Sequence, residues 1–285
     1  MSRVNFFIVG VPKAGTTSLH DTLARHSQVY MSDPKEVNYF SAEDILNENL
    51  YYRAGVVSSL VDYEKIFQDR NETILGESSV SYFGYSSVPL KIREYNPEAK
   101  ILIVLRNPVQ RAFSHYLMDR KLGHCTETFE ELANQYLNNK KDLKTRQYFS
   151  LSEYSESLSR YYELFEKNLF VCTYDDLLNN GKNVLDEIQK FLKIQEQDLS
   201  LASSNRFSEP RGFIGRFLYE KRRIRSIVKS ILPASAQNFL RFIFLQTTRK
   251  PSIDQKIKVR LQDHYKHDLR KVEDLTGIDT NSLLR

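Results

Sequence analysis

Gly10 and Gly15 bracket four residues in 10-GVPKAGTTS-18, and three hydroxyls, Thr16, Thr17 and Ser18, follow the second glycine. A glycine loop between a strand and a helix gathers backbone N–H groups and a helix N-terminus around one point, and that point favours an anion. The spacing is that of a phosphate-binding loop, yet Thr16 stands where a nucleotide-hydrolysing loop needs lysine. The only lysine, Lys13, lies inside the loop. Its place raises the question of which phosphate such a loop would hold.

Hydrolysis or transfer of a γ-phosphoryl group also needs Mg²⁺, commonly held by the loop hydroxyl and an aspartate ending a second apolar strand. The obvious second strand, 101-ILIVLRNP-108, ends in Arg106. An arginine there repels a metal and forks well onto a phosphate. Asp175 and Asp176 in 170-FVCTYDDL-177 are what remains for a kinase. The pattern suits a nucleotide with phosphates at two separate positions and little use for magnesium.

The elements that must position these groups alternate. Short apolar runs predict strands at 4–9, 28–31, 73–76, 101–105 and 169–173. Helices are expected from Thr16, from Ser87-Val88-Pro89 to Asn96-Pro97, from Asn107-Pro108 to about residue 122, and over about 152–167. Asn107 reads as an N-cap with proline at the first helical position. Five aliphatic residues in a row at 101–105 fit a central strand buried on both faces. The order predicts an α/β fold, a doubly wound parallel sheet flanked by helices. Residues 213–245 read as helical and basic, broken at Pro233. A last helix follows Pro251, with Ser252 and Gln255 as a capping box and Gly277 as its stop. We expect a single domain over 1–285, with a nucleotide-binding core at 1–180 and a mostly helical basic extension at 205–285.

The composition, 41% apolar over 285 residues, is that of a globular chain. Residues 211–250 hold ten Lys/Arg and one acid, Glu220, a net of +9 that leaves −4 on the rest of a chain with +5 overall. Such asymmetry points to an anionic partner near that segment. Its apolar residues at helical spacing fit either a helix packed on the core with a cationic rim or a peripheral contact with an anionic inner-membrane surface. Its aromatics form no stacking module, so nucleic acid is not expected as a partner. Cys125 and Cys172 belong to no cluster and read as free thiols in a reducing compartment. The histidines are scattered and predict no metal site. Neither a signal peptide nor a run of roughly 18 apolar residues is present, and a first strand three residues after Met1 points to the cytoplasm.

Taken in order and spacing, FFIVGVPKAGTTSL, PKEVNYF at 34–40, LGESSVSYF at 75–83, ILIVLRNPVQRAFSHYLM at 101–118 and the stretch 152–177 resemble the PAPS-dependent sulfotransferases. Within them the chain is similar to the carbohydrate branch, the heparan sulfate sulfotransferases and their bacterial relatives. The resemblance covers most of the chain. It implies PAPS as co-substrate, PAP as product, no metal, and a carbohydrate or glycolipid acceptor. It implies that Lys13, Ala14, Gly15, Thr16, Thr17 and Ser18 grip the 5′-phosphosulfate, with Lys13 beside the bridging oxygen. Arg106 and Ser114 would hold the 3′-phosphate, and Arg211 and Gly212 in 210-PRGF-213 would close over it.

An acceptor hydroxyl is a poor nucleophile, so a carboxylate or imidazole must take its proton. The glutamate that the resemblance assigns to this task is Glu36; His20 and His26 are rivals by residue type alone. Glu77, in GESS, is expected at the cleft mouth, and Asn38 joins it as an acceptor-side residue. Related enzymes often carry lysine where Ser78 stands and histidine where Asn38 stands, so the network around Glu36 differs here. Two other functions stay open: a small-molecule kinase using ATP with Mg²⁺, and a non-catalytic nucleotide- or membrane-binding protein.

Overall fold

The computed structural model describes residues 3–48, 55–202, 208–210, 245–247, 251–280 and 282–284. Arg211, Gly212 and nearly all of the basic 211–250 segment, with its expected helices, lie outside the described residues.

The chain opens with β1 (Phe6–Gly10), α1 (Thr16–Leu23), β2 (Val29–Met31), α2 (Ala42–Asn47), α3 (Leu60–Lys65), β3 (Ile74–Ser78) and α4 (Val88–Tyr95). It continues with β4 (Lys100–Leu105), α5 (Pro108–Lys121), α6 (Phe129–Leu137), α7 (Leu143–Tyr148), α8 (Ser155–Phe165), β5 (Leu169–Thr173), α9 (Tyr174–Asn179) and α10 (Gly181–Leu192). The short strands β6 (Ser208–Pro210) and β7 (Leu245–Thr247) pair antiparallel, and α11 (Gln255–Thr276) closes the series.

All five expected strands form, and they form one parallel sheet in the order β2-β3-β1-β4-β5. β1 pairs with β3 at Ile8↔Ser78 and with β4 at Ile8↔Leu102. The connections leave β1 and β4 in opposite directions, so the crevice at their carboxyl ends is where a doubly wound sheet accepts a ligand. Every residue of β1 is buried, as are all of β4 after Lys100. That is the pattern of strands covered on both faces. Phe7, on β1, meets Phe40 edge to face with centroids 5.7 Å apart.

Two compact units emerge, and they group the chain in another way than 1–180 plus a C-terminal extension. The first holds Met1–Arg111, Leu151–Ser204 and Tyr265–Arg285; the second holds Ala112–Ser150 and Asn205–His264. The sheet belongs to the first. The second packs an aromatic cluster in which Phe113 and Phe129 meet at 5.0 Å and Tyr136 stacks on Phe149 at 5.1 Å. Both cysteines are free and buried.

Local chemistry sets the helix ends. Asn107 caps α5 as expected: its Oδ1 accepts from the Gln110 amide at 3.0 Å. The cap of α11 is a correction. Asp254, not Ser252, accepts from the Lys256 and Ile257 amides at 3.0 and 3.1 Å. A carboxylate one residue before the helix outcompetes a hydroxyl two residues further out. Gly277 stops the helix at φ +72° as expected.

Candidate functional site

The loop after β1 is built from backbone. The Val11 amide donates to the Val104 carbonyl at 2.9 Å and ties the loop to β4. Lys13 and Gly15 both take left-handed φ, 71° and 80°, which turns successive N–H groups inward. A methyl group on Gly15 would stand 2.8 Å from the ring of Tyr174, so the loop has room for glycine alone there. α1 then begins with the Leu19 amide on the Gly15 carbonyl at 3.1 Å. Thr16 is buried and Thr17 exposed, while the Ser18 hydroxyl donates to the Ala202 carbonyl.

Arg106 follows β4 and lies against this loop. Its Nη1 donates to the Lys13 carbonyl, and its guanidinium lies 4.5 Å from the centroid of the Tyr174 ring. Its own carbonyl accepts from the Tyr154 hydroxyl at 2.7 Å. Asp268 on α11 fixes Tyr154 in turn, accepting from the amides of Tyr154 and Ser155 at 2.6 and 3.1 Å. Burial lowers the Arg106 pKa while Tyr174, Tyr154 and Asp175 oppose the shift. An arginine nonetheless keeps its charge. Its Nε is buried without a hydrogen-bond partner among the described residues, an orphan donor of the kind that an anion would satisfy. Ser114 is half-buried on α5, in the second unit.

The aspartates offered for a kinase serve elsewhere. Asp176 closes a cap at the start of α9: its amide donates to Thr173 Oγ1 at 3.0 Å, and Oγ1 donates back to its carboxylate at 2.6 Å. Asp175 stands close enough to Arg106 to oppose the lowering of its pKa by burial, so this carboxylate faces the guanidinium.

Glu36 sits beyond the carboxyl end of β3, on the same sheet edge as the phosphate loop. Its amide donates to the Ser78 carbonyl at 3.0 Å, and its Oε2 accepts from the Val80 amide at 2.9 Å. Oε1 pairs with Lys35. The side chain keeps 36% of its surface exposed, enough for a substrate to reach it. Glu36 and Asn38 both adopt left-handed backbone, φ 62° and 58°. For a non-glycine residue that costs about 1–3 kcal/mol, so the surroundings must hold the loop in place.

Two acceptor-side expectations change. Glu77 does not line a cleft mouth: it is fully buried, and its carboxylate accepts from the hydroxyls of Tyr63, Ser79 and Tyr82. Strand β3 is covered on both faces, and alternation turns this side chain inward. Burial pushes its pKa up to about 7, against the pull of the three hydroxyls. Asn38 is buried too, its Nδ2 donating to the Glu36 carbonyl at 2.7 Å and its Oδ1 accepting from Ser81 at 2.6 Å. Its amide group is spent on the Glu36 loop. Ser78 has a buried hydroxyl without a partner among the described residues.

The histidine rivals are interior groups. His26 bonds the Gln195 carbonyl at 2.8 Å through Nε2 and the Gln28 amide at 3.0 Å through Nδ1. His20 is buried; burial and the Lys35 cation push its pKa down to about 4. Sequence reasoning missed Tyr174, Tyr154 and the hydroxyls under Glu77. Tyr174 directly follows a strand-ending threonine, which was the one available signal; the others depend on contacts distant in sequence.

The family model described as Sulfotransferase domain matches residues 3–214. The human bifunctional heparan sulfate N-deacetylase/N-sulfotransferase 2 is 29% identical over 219 residues, 73% of this chain. The Drosophila melanogaster bifunctional heparan sulfate N-deacetylase/N-sulfotransferase is 28% identical over 245 residues, 78% of this chain. These matches take up 24% and 22% of the two relatives, so the chain spans about a quarter of their length. In three dimensions the chain is similar to the crystal structure of a sulfotransferase from Alicyclobacillus acidocaldarius. The TM-score is 0.72 at 23% identity, and 100% of each chain is covered.

Proposed function

This chain belongs to the sulfotransferase domain family, and from that premise we propose that it moves a sulfuryl group from PAPS to a hydroxyl or amine of a carbohydrate acceptor. The observation that carries the reading is Arg106: a half-buried cation with a buried orphan Nε, hydrogen-bonded to the phosphate loop, at the strand end where magnesium chemistry would want a carboxylate. PAPS differs from an ordinary nucleoside polyphosphate by its 3′-phosphate, and a second cationic pocket is what that group requires. The residues present therefore fit PAPS.

When bound, PAPS supplies an activated sulfuryl group joined to a phosphate leaving group. Lys13, the loop amides of Gly15 to Ser18 and the α1 N-terminus would stabilise negative charge at the 5′ end, while the Ala14 amide is spent on the Val11 carbonyl at 3.2 Å. Arg106 would hold the 3′-phosphate through its orphan Nε, with Tyr174 packed against its guanidinium and Nη1 kept on the Lys13 carbonyl. The family resemblance assigns Ser114, Arg211 and Gly212 to the same phosphate, the last two lying outside the described residues. Glu36 would take the acceptor proton, its carboxylate aimed by the Val80 amide and paired with Lys35. A saccharide acceptor is supported by the named activity of the heparan sulfate relatives.

The test is transfer of label from radiolabelled PAPS to N-deacetylated heparosan, N-acetylated heparosan and unsulfated chondroitin. Label in at least one polysaccharide is expected, and preference for the N-deacetylated form would assign an amine acceptor. No label in any saccharide, together with phosphoryl transfer from labelled ATP–Mg²⁺, would overturn the reading in favour of a kinase.

A further inference from the structure

Glu77 lies outside every step just described, yet it is a wholly buried carboxylate on the strand that exits toward Glu36. Its Oε1 accepts from the Ser79 and Tyr82 hydroxyls, the latter at 2.8 Å, and its Oε2 from the Tyr63 hydroxyl at 2.8 Å. Each hydroxyl has one proton, and a carboxylate claims it; what remains on the hydroxyl oxygen can only accept. That acceptor capacity is used. The Asn38 amide donates to Ser79 Oγ at 2.9 Å, and the Phe40 amide donates to Tyr82 Oη at 3.2 Å. The two chains of hydrogen bonds have one polarity, from loop amide to hydroxyl to carboxylate.

The loop that they grip is the one that needs gripping. Glu36 and Asn38 hold left-handed backbone without being glycine, and such conformations persist only where the surroundings over-determine them. The Ser78 carbonyl and the Val80 amide bind Glu36 directly, so the whole exit of β3 closes on this loop. Without the carboxylate, the Ser79 and Tyr82 protons are free to rotate toward the two amides, and both relays lose their direction.

We infer that Glu77 is a positioning residue, which acts through the Ser79 and Tyr82 hydroxyls on the Asn38 and Phe40 amides to fix the loop presenting Glu36. The inference rests on the reading of Glu36 as the base. Tyr63 supplies an internal control: its hydroxyl completes the other carboxylate oxygen and holds neither amide.

The experiment compares Glu77→Leu, Ser79→Ala, Tyr82→Phe and Tyr63→Phe in the wild-type and Glu36→Gln backgrounds. It measures sulfuryl transfer from PAPS to the best saccharide of the panel and, by calorimetry, PAP binding. We expect kcat to fall about thirtyfold for Glu77→Leu, about tenfold for Ser79→Ala and Tyr82→Phe, and less than about threefold for Tyr63→Phe. PAP affinity should stay within about twofold throughout, because no group that holds PAP touches this network. On Glu36→Gln, Glu77→Leu should cost less than about a further twofold, as expected of residues acting as one unit. Should Glu77→Leu fail to fold, the two hydroxyl variants against Tyr63→Phe carry the same comparison. Equal losses in all the hydroxyl variants, or full additivity with Glu36→Gln, would overturn the inference and leave Glu36 as base. A Glu36→Gln enzyme of near wild-type rate, or a wild type inert on every saccharide, would remove the underlying reading and this inference with it.

Discussion

Around Lys13 the chain builds its site from main chain: strand, glycine turn and helix N-terminus within a dozen consecutive residues, joined by Arg106. Around Glu36 the same sheet edge is built from side chains. Asn38, Ser79, Val80 and Tyr82 meet across about forty residues of sequence, over a carboxylate that never reaches solvent. The first construction uses backbone groups that every residue carries and can be short and local. The second holds the Glu36 carboxylate in a loop of left-handed backbone, and it draws on the packed interior to do so.

The largest effect that would sharpen this contrast is on chemistry alone. Glu36→Gln should lower turnover about a thousandfold while PAP affinity, set at the other region, moves by less than about twofold in calorimetry. A fall of less than about tenfold would contradict the general-base role.

Gly15→Ala attacks the backbone-built side. The methyl group meets both a left-handed φ of 80° and the Tyr174 ring at 2.8 Å. PAP affinity should fall about thirtyfold and the unfolding free energy by about 2 kcal/mol in denaturant titration.

The pH dependence of stability should differ in sign between the two regions. His20, on α1, has its pKa lowered from 6.5 to about 4, so the unfolded chain takes the proton first as pH falls. Its contribution is present above about 6.5 and lost on the way to about 4. Glu77 has its pKa raised from 4.5 to about 7, so its contribution is full below 4.5 and lost as pH rises to about 7. His20→Asn should therefore flatten the acid limb and Glu77→Gln the neutral limb of a stability-against-pH profile, each by about 3 kcal/mol. Tilts of the same sign would refute the assignment.

The smallest effect lies away from both regions. Asp254→Ala should cost about 1 kcal/mol at the head of α11 and Ser252→Ala almost nothing, the reverse of what a capping box at Ser252 would give.

The same contrast explains what could be read from the chain without coordinates. The five strands announce themselves as apolar runs, and the phosphate loop, Arg106 and the Asn107 cap are local signals carried by a few adjacent residues. Glu36 came from family resemblance; nothing around it in sequence shows its carboxylate meeting the Val80 amide. Glu77 was misplaced because an acid in a short polar stretch reads as exposed. Only the pairing of β3 between β2 and β1 turns it into the core. Helix α10 has buried Val184, Leu185, Ile188 and Leu192 at helical spacing, a period that the sequence carries. The short helices α2 and α3 were not, since one or two turns carry too little period to stand out.

The central claim is that two cationic pockets hold the two ends of an adenosine bisphosphate, and calorimetry with PAP and ADP on the wild type and on Arg106→Ala tests it most directly. PAP should bind the wild type at least about tenfold tighter than ADP, and Arg106→Ala should bring the two within about twofold of each other. Equal binding of PAP and ADP by the wild type, or a preference for PAP that survives the loss of Arg106, would contradict it.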